Sequence, residues 1–136
     1  MRIIPLLESG HPDVRPDLGP LAGHEHPWTA RKGRMLLDLV AHLESRGPAP
    51  DAFAYVAGDE LWLYPANRHN RARVQVAVVW RDYGPVRDGY PEMYYRLSVR
   101  RPGAPGSEER ARELSEVEDH IRRAFGWSAP AASDPA

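Results

Sequence analysis

The sequence predicts a small α+β domain, in which a four-stranded antiparallel meander carries an N-terminal and a C-terminal amphipathic helix on one face. The length of 136 residues fits one domain of ordinary size. Two stretches far apart in the chain place apolar residues at helical spacing. Between them, four short runs rich in Val, Tyr and Leu are separated by turn residues, as in consecutive antiparallel strands. The predicted order is therefore helix, four strands, helix, after an irregular N-terminal segment.

Proline and glycine interrupt the first 28 residues, which are predicted to form the irregular segment. Residues 8–28 contain four prolines and three glycines, so neither a helical nor a strand period continues for long. Because proline has no amide hydrogen to donate, Pro5 restricts any strand near the start of the chain to a sheet edge. Such a short edge strand would include Ile3, Ile4, Leu6 and Leu7.

The first helix is predicted from Thr29 to Arg46. The Thr29 hydroxyl can accept a hydrogen bond from a free amide of the first turn. Gly47 and Pro48 then end the helix, since glycine is common just after a helix and proline cannot continue one. The apolar stripe of this helix recurs at helical spacing and consists of Leu36, Leu39, Val40 and Leu43.

Four strands are predicted after this helix. The first two lie at Phe53–Ala57 and Leu61–Tyr64, and a Gly58-Asp59 turn joins them because glycine readily supplies a positive φ. The third and fourth strands are predicted at Arg73–Tyr83 and Met93–Arg101. Short connections between the strands favour an antiparallel meander.

Alternation in the third and fourth strands predicts which side chains face the helices. Successive side chains of a strand point to opposite faces of the sheet, so every second residue shares a face. We therefore expect Val76, Trp80 and Leu97 in the core. Arg81 and Arg96 are expected on the opposite, solvent-facing side.

The last helix is predicted over Ser107–Phe125. Ser107 is a suitable N-cap, and the two glutamates that follow it would lie at the positive end of the helix dipole. Gly126 is a suitable helix stop, with Trp127 folding back on the last turn.

These elements define the predicted domain organisation. Residues 29–127 form the single α+β domain, and residues 128–136 form a polar, Pro-containing tail that we expect to be disordered. The N-terminal apolar stretch is too short for a signal peptide, and no cleavage site follows it. With no cysteine in the chain, disulfides and thiolate ligands are excluded, and we expect a cytoplasmic protein. No apolar run approaches the roughly 20 residues of a membrane helix, so no membrane partner is expected.

The connection between the third and fourth strands gives the leading functional hypothesis. It is rich in proline and glycine and carries Tyr83, Arg87 and Tyr90, which are of the residue types enriched in interface hot spots. A stiff loop of this kind loses little entropy on binding. Trp28 and Trp127 are expected to lie near it, at the ends of the two helices. The sequence thus indicates a small non-enzymatic binding or regulatory module that docks another protein.

The outer face of the sheet supports an alternative hypothesis, association with nucleic acid. Residues 67–101 carry eight arginines against three acidic residues, although the whole chain has a net charge of −1. Aromatic rings among arginines can stack on bases and neutralise phosphates. The residues expected to form this face are Arg73, Arg81, Tyr94, Arg96 and Arg100. A solvated face, with arginines packed over the rings, is the competing interpretation.

Catalysis and metal binding receive less support from the sequence. His69 beside Arg68 and Arg71 could act as an acid or base in a small metal-independent ribonuclease of the toxin type. That chemistry also needs a second acid or base, and no motif supplies one. His24 and His26 could bind a metal, but no further ligand stands at a motif spacing. No catalytic residue, metal or cofactor is therefore predicted.

Overall fold

The computed structural model describes residues 1–6, 13–46, 50–68, 72–80 and 91–127. The strands are β1 (Ile3–Pro5), β2 (Ala52–Ala57), β3 (Glu60–Tyr64), β4 (Arg73–Trp80), β5 (Met93–Arg100) and β6 (Ser107–Ala111). The helices are α1 (Arg15–Ala22), α2 (Pro27–Ser45) and α3 (Leu114–Phe125). The predicted α+β class is confirmed.

One mixed sheet contains all six of these strands, and their spatial order follows the chain from β1 to β6. Strand β1 is parallel to β2, and every later neighbour is antiparallel. The four predicted strands correspond to β2 through β5. The prediction of four strands and two helices was wrong in number, because β6 and α1 were missed and the short edge strand suggested near Pro5 joins the same sheet as β1.

The first correction concerns the N-terminal 28 residues, which are not wholly irregular. Strand β1 lies at a sheet edge, where Pro5 is tolerated although it has no amide hydrogen to donate. The Ala52 amide donates to the Arg2 carbonyl at 2.9 Å and holds the residue before β1. Helix α1 forms although Pro16 and Pro20 lie within it. Pro16 stands in the first turn, where the amide would be unsatisfied in any case.

Packing against α2 explains why α1 forms. Val14 and Leu18 are almost fully buried. The backbone of Ala22 approaches so closely that a Cβ on Gly33 would lie 2.3 Å from the Ala22 nitrogen. Burial of this apolar surface outweighs the low helical propensity of the segment. Helix α2 itself begins at Pro27 instead of Thr29, since proline is favoured in the first turn.

The second correction concerns the predicted helix at Ser107–Phe125. Its first residues form β6 instead, because the open edge of β5 offers their backbone groups partners. Helix α3 begins only after Glu113, whose amide donates to the Glu116 carboxylate at 3.1 Å. Its predicted end is confirmed: Gly126 has a φ of 71°, and the Trp127 amide donates to the Arg122 carbonyl at 2.8 Å.

The core lies between one face of the sheet and helices α2 and α3. Val76 and Leu97 are fully buried, so the predicted register of β4 and β5 is confirmed. Trp80 is half-buried on this same face, opposite Met93. The predicted exposure of Arg81 and the predicted tail at residues 128–136 lie outside the described residues.

A buried ion-pair network fastens α2 to α3. The Glu118 side chain is 2% exposed, and its carboxylate accepts hydrogen bonds from His42 Nε2 at 3.0 Å and Arg122 Nε at 2.9 Å. Arg46 Nε lies 3.0 Å from the same carboxylate. Because burial strips water from the charges, this network is stable only while each carboxylate oxygen keeps its partners.

Candidate binding face of the sheet

The outer face is the surface of β2–β6 that points away from α2 and α3. Strand pairing aligns its side chains in rows that cross the sheet. One row runs across all five strands through Tyr55, Trp62, Gln75, Ser98 and Glu108. The next row contains Glu60, Ala77, Arg96 and Arg110. Apart from its flanking loops, the face is built on regular strands, so its side chains are held on a rigid support.

Aromatic rings occupy the β2–β3 side of the outer face. Tyr55 is 36% exposed, and its ring meets that of Trp62 edge-on with centroids 6.2 Å apart. The indole nitrogen of Trp62 donates to Glu60 Oε1 at 2.8 Å. The Arg73 guanidinium lies over the Trp62 ring at 5.1 Å. These contacts fix the indole and leave the tyrosine as the exposed edge of the cluster.

Arginines occupy the β4–β6 side. Arg96 lies between two carboxylates, with its nitrogens 3.7 Å from Glu60 and 3.8 Å from Glu108. Arg110 places its guanidinium over the Tyr94 ring at 5.2 Å. The outward strand positions carry four arginines and two glutamates, an excess of two positive charges. These residues are Arg73, Arg96, Arg100, Arg110, Glu60 and Glu108.

Four of the five residues predicted for nucleic-acid binding therefore share one surface. Arg73, Tyr94, Arg96 and Arg100 all occupy outward positions on β4 and β5, whereas Arg81 lies outside the described residues. Sequence reasoning missed Arg110 and Glu108, because it assigned both to a helix. The local sequence SEERA carries no apolar alternation that would have indicated a strand.

Of the residues predicted for partner binding, the structure describes Trp28 and Trp127. Trp28 packs edge-on against Trp80 at 5.6 Å, at the end of the sheet where β4 stops. Trp127 contacts Phe125 at the carboxyl end of α3. That end lies by Arg101, just beyond β5, where the Arg101 guanidinium donates to the Arg123 carbonyl at 3.5 Å. Trp28 thus lies where β4 ends, and Trp127 lies where α3 ends. Predicted residues Tyr83, Arg87 and Tyr90 lie outside the described part of the chain.

A cleft of about 320 Å³ opens at the carboxyl end of β6. It is lined by Glu92, Tyr94, Arg110, Ala111, Arg112 and Glu116. Arg112 and Glu92 form an ion pair across it. The lining carries both signs of charge, so the cleft has no strong preference for an anion or a cation.

The histidines of the described residues have structural contacts. The His24 ring accepts a hydrogen bond from the His26 amide at 3.0 Å, and the His26 ring meets Trp28 edge-on. Within the described ranges, no group of three metal-ligating side chains is found. The ribonuclease hypothesis depends on His69, which lies outside them. No helix in the described part is long and apolar enough to cross a membrane.

Comparison of the chain with protein-family models, with curated proteins and with solved structures finds no match. The functional argument therefore rests on the geometry of the outer face.

Proposed function

We propose that this protein is a cytoplasmic, non-enzymatic binding module that docks an acidic partner protein on the outer face of its sheet. One observation carries the proposal: the exposed residue Tyr55 and the neighbouring Trp62 stand beside an excess of arginine on the face opposite α2 and α3. Tyrosine, tryptophan and arginine are the residue types that dominate interface energetics.

The support beneath these side chains favours binding. Tyr55 and Trp62 sit on paired strands, and contacts with Glu60 and Arg73 already hold the Trp62 ring. Little side-chain entropy is left to lose when a partner covers them, which lowers the cost of association. The excess positive charge would steer a partner that presents carboxylates around an apolar centre.

A protein partner fits the face better than a nucleic acid does. Glu60 and Glu108 flank Arg96 and weaken its attraction for phosphates and carboxylates alike, so the choice between the two partners depends on the aromatic rings. Arg73 and Arg110 lie over the rings of Trp62 and Tyr94, so each ring already has one face engaged. Stacking of bases on those faces would first displace the arginines.

Affinity capture from the native host, followed by titration of the purified candidate, tests the proposal. Three immobilised proteins are compared: wild type, Tyr55→Ala, and Asp119→Ala as a control at an exposed position of α3. We expect an acidic protein that wild type and the control retain, and whose Kd rises at least about tenfold with Tyr55→Ala, as for a hot-spot residue. Equal Kd values for all three proteins would overturn the outer-face assignment.

The nucleic-acid alternative has its own measurement. Fluorescence anisotropy of labelled oligo-dT and oligo-U is followed against protein concentration at physiological salt. We expect no saturable binding. Binding that weakens steeply with salt, and that Arg73→Ala and Arg100→Ala reduce, would instead favour the nucleic-acid hypothesis.

The loop prediction can be separated from the outer-face proposal in the same capture assay. Trp80 is the last residue of β4. Lys32 joins it to the Gly58-Asp59 turn, because the Lys32 ammonium lies over the Trp80 ring and pairs with Asp59 at 3.0 Å. Arg87 follows Trp80 by seven positions in the chain and lies outside the described residues. Loss of the partner with Arg87→Ala but not with Tyr55→Ala would place the docking site at the loop.

A further inference from the structure

Strand β6 ends the sheet and pairs with β5 on one side. Four of its five residues are exposed. No other strand in the described part of the chain pairs with its far side. Such an edge presents a row of backbone donors and acceptors that a further strand can use.

The two outward-pointing residues of β6 carry opposite charges, which an antiparallel second copy of the strand would complement. Glu108 and Arg110 both point to the outer face, opposite Ser98 and Arg96 of β5. An antiparallel copy of β6, related by a two-fold axis at Glu109, would bring Glu108 opposite Arg110 of the second copy. The same axis creates this pair twice, since a two-fold interface repeats every contact. Opposite charges directly across two strands stabilise their pairing.

We propose that two copies of this chain associate through β6, edge to edge and antiparallel, about a two-fold axis at Glu109. Charged residues on an edge strand normally discourage pairing. Here the alternation of sign makes the edge selective for an antiparallel second copy. The product is a continuous sheet in which both outer faces lie on the same side.

The remaining residues of β6 set the strength of the association. Glu109 points to the helix-bearing side, opposite Leu97, and would face its own copy at the axis. This like-charge contact opposes pairing. Because the interface is short and carries this repulsion, we expect a reversible dimer whose population depends on protein concentration.

The cleft at the carboxyl end of β6 adds a second contact region. In an antiparallel pair, Ser107 of the second copy lies opposite Ala111. The exposed residues just before it, Pro105 and Gly106, would then pass the cleft mouth at Arg112. The cleft thus lies where the preceding segment of a second copy would arrive.

Sedimentation velocity over a wide concentration range tests the proposal with wild type, Glu108→Arg, Arg110→Glu, and an equimolar mixture of the two variants. Each variant alone would place like charges opposite each other twice, so we expect wild type to dimerise and each variant to remain monomeric. In the mixture, both cross-strand pairs become Arg opposite Glu. We therefore expect the heterodimer to form.

Circular dichroism and thermal melting establish that each variant is folded before the mixture is interpreted, because Glu108 also lies near Arg96. Dimerisation restored in the mixture is a result that a misfolded variant could not give. Glu109→Gln should strengthen the wild-type dimer. A wild type that is monomeric throughout, variants that dimerise as well as wild type, or folded variants whose mixture stays monomeric would each overturn the proposal.

Discussion

His42 on α2 and Glu118 on α3 are 76 positions apart in the chain and meet at 3.0 Å between Nε2 and Oε1. The same carboxylate also binds Arg122 and lies against Arg46. One buried acid therefore joins the two helices that cover the sheet. Its removal would take away the carboxylate that lies 2.9 Å from Nε of the nearly buried Arg122 guanidinium.

Replacing Glu118 with Gln should destabilise the fold by about 3–5 kcal/mol, the usual effect of removing one partner from a buried ion pair. Urea denaturation followed by circular dichroism measures the difference. Asp119→Asn, at the exposed neighbouring position, is the matched control and should change the midpoint little. A Glu118→Gln midpoint equal to that of the control would show that the network adds nothing to stability.

Gly33→Ala should be destabilising, even though alanine normally favours a helix. The added Cβ would lie 2.3 Å from the Ala22 nitrogen, so α1 and α2 would have to separate, at a cost of about 1–3 kcal/mol. Gly19→Ala is the contrasting control, because a Cβ there meets nothing within 4 Å. We expect Gly19→Ala to be neutral or stabilising by up to about 1 kcal/mol. Thermal melts in which both variants behave alike would contradict the close α1–α2 contact.

Val76→Ala should lower the free energy of unfolding by about 1–3 kcal/mol, through lost burial and the cavity left behind. Val76 is fully buried and pairs with Leu61 and Leu97. The adjacent Gln75→Ala faces outward and should have a smaller effect. An unchanged denaturation midpoint for Val76→Ala would disprove the core position of this residue.

Acid should weaken the contact at the start of α1. A hydrogen bond from the Arg15 amide at 3.0 Å, helped by the Arg15 guanidinium, lowers the pKa of the Asp13 carboxyl below its usual value of 3.8. A lowered pKa in the folded state means that the ionised carboxylate stabilises the fold above pH 3.8, and that this stabilisation disappears as the pH falls below it. The difference in melting temperature between wild type and Asp13→Asn should therefore be present at pH 6 and shrink below pH 4. A difference that does not change between these pH values would rule out a role for the charge.

The sequence predicted β4 and β5 well for a physical reason. One face of each strand is buried, so Val76 and Leu97 had to alternate with outward residues, and a register shift would have exposed the whole apolar set. The stop at Gly126 was predictable because a left-handed residue there leaves little choice of amino acid. Four residues of the candidate outer face, Arg73, Tyr94, Arg96 and Arg100, followed from the same alternation.

Other features depend on contacts that local pattern cannot reveal. Helix α1 was missed because its prolines are local signals, whereas its stability comes from packing against Gly33. Strand β6 was mistaken for a helix start because Ser107 and two glutamates also suit an N-terminus. Only the free edge of β5 decides between the two. The Glu118 network was not predictable either, since its partner His42 lies 76 positions earlier in the chain.

Site-specific photo-crosslinking tests the central claim, that the outer face docks a partner protein, most directly. A photoreactive phenylalanine analogue replaces Tyr55 in one protein and Asp119 in the other, and both are irradiated in host extract. The outer-face account predicts that position 55 forms a crosslink to one acidic protein, that the same protein is not crosslinked from position 119, and that excess unlabelled wild type competes for it. Crosslinks to that protein from position 119 but not from position 55 would contradict the account.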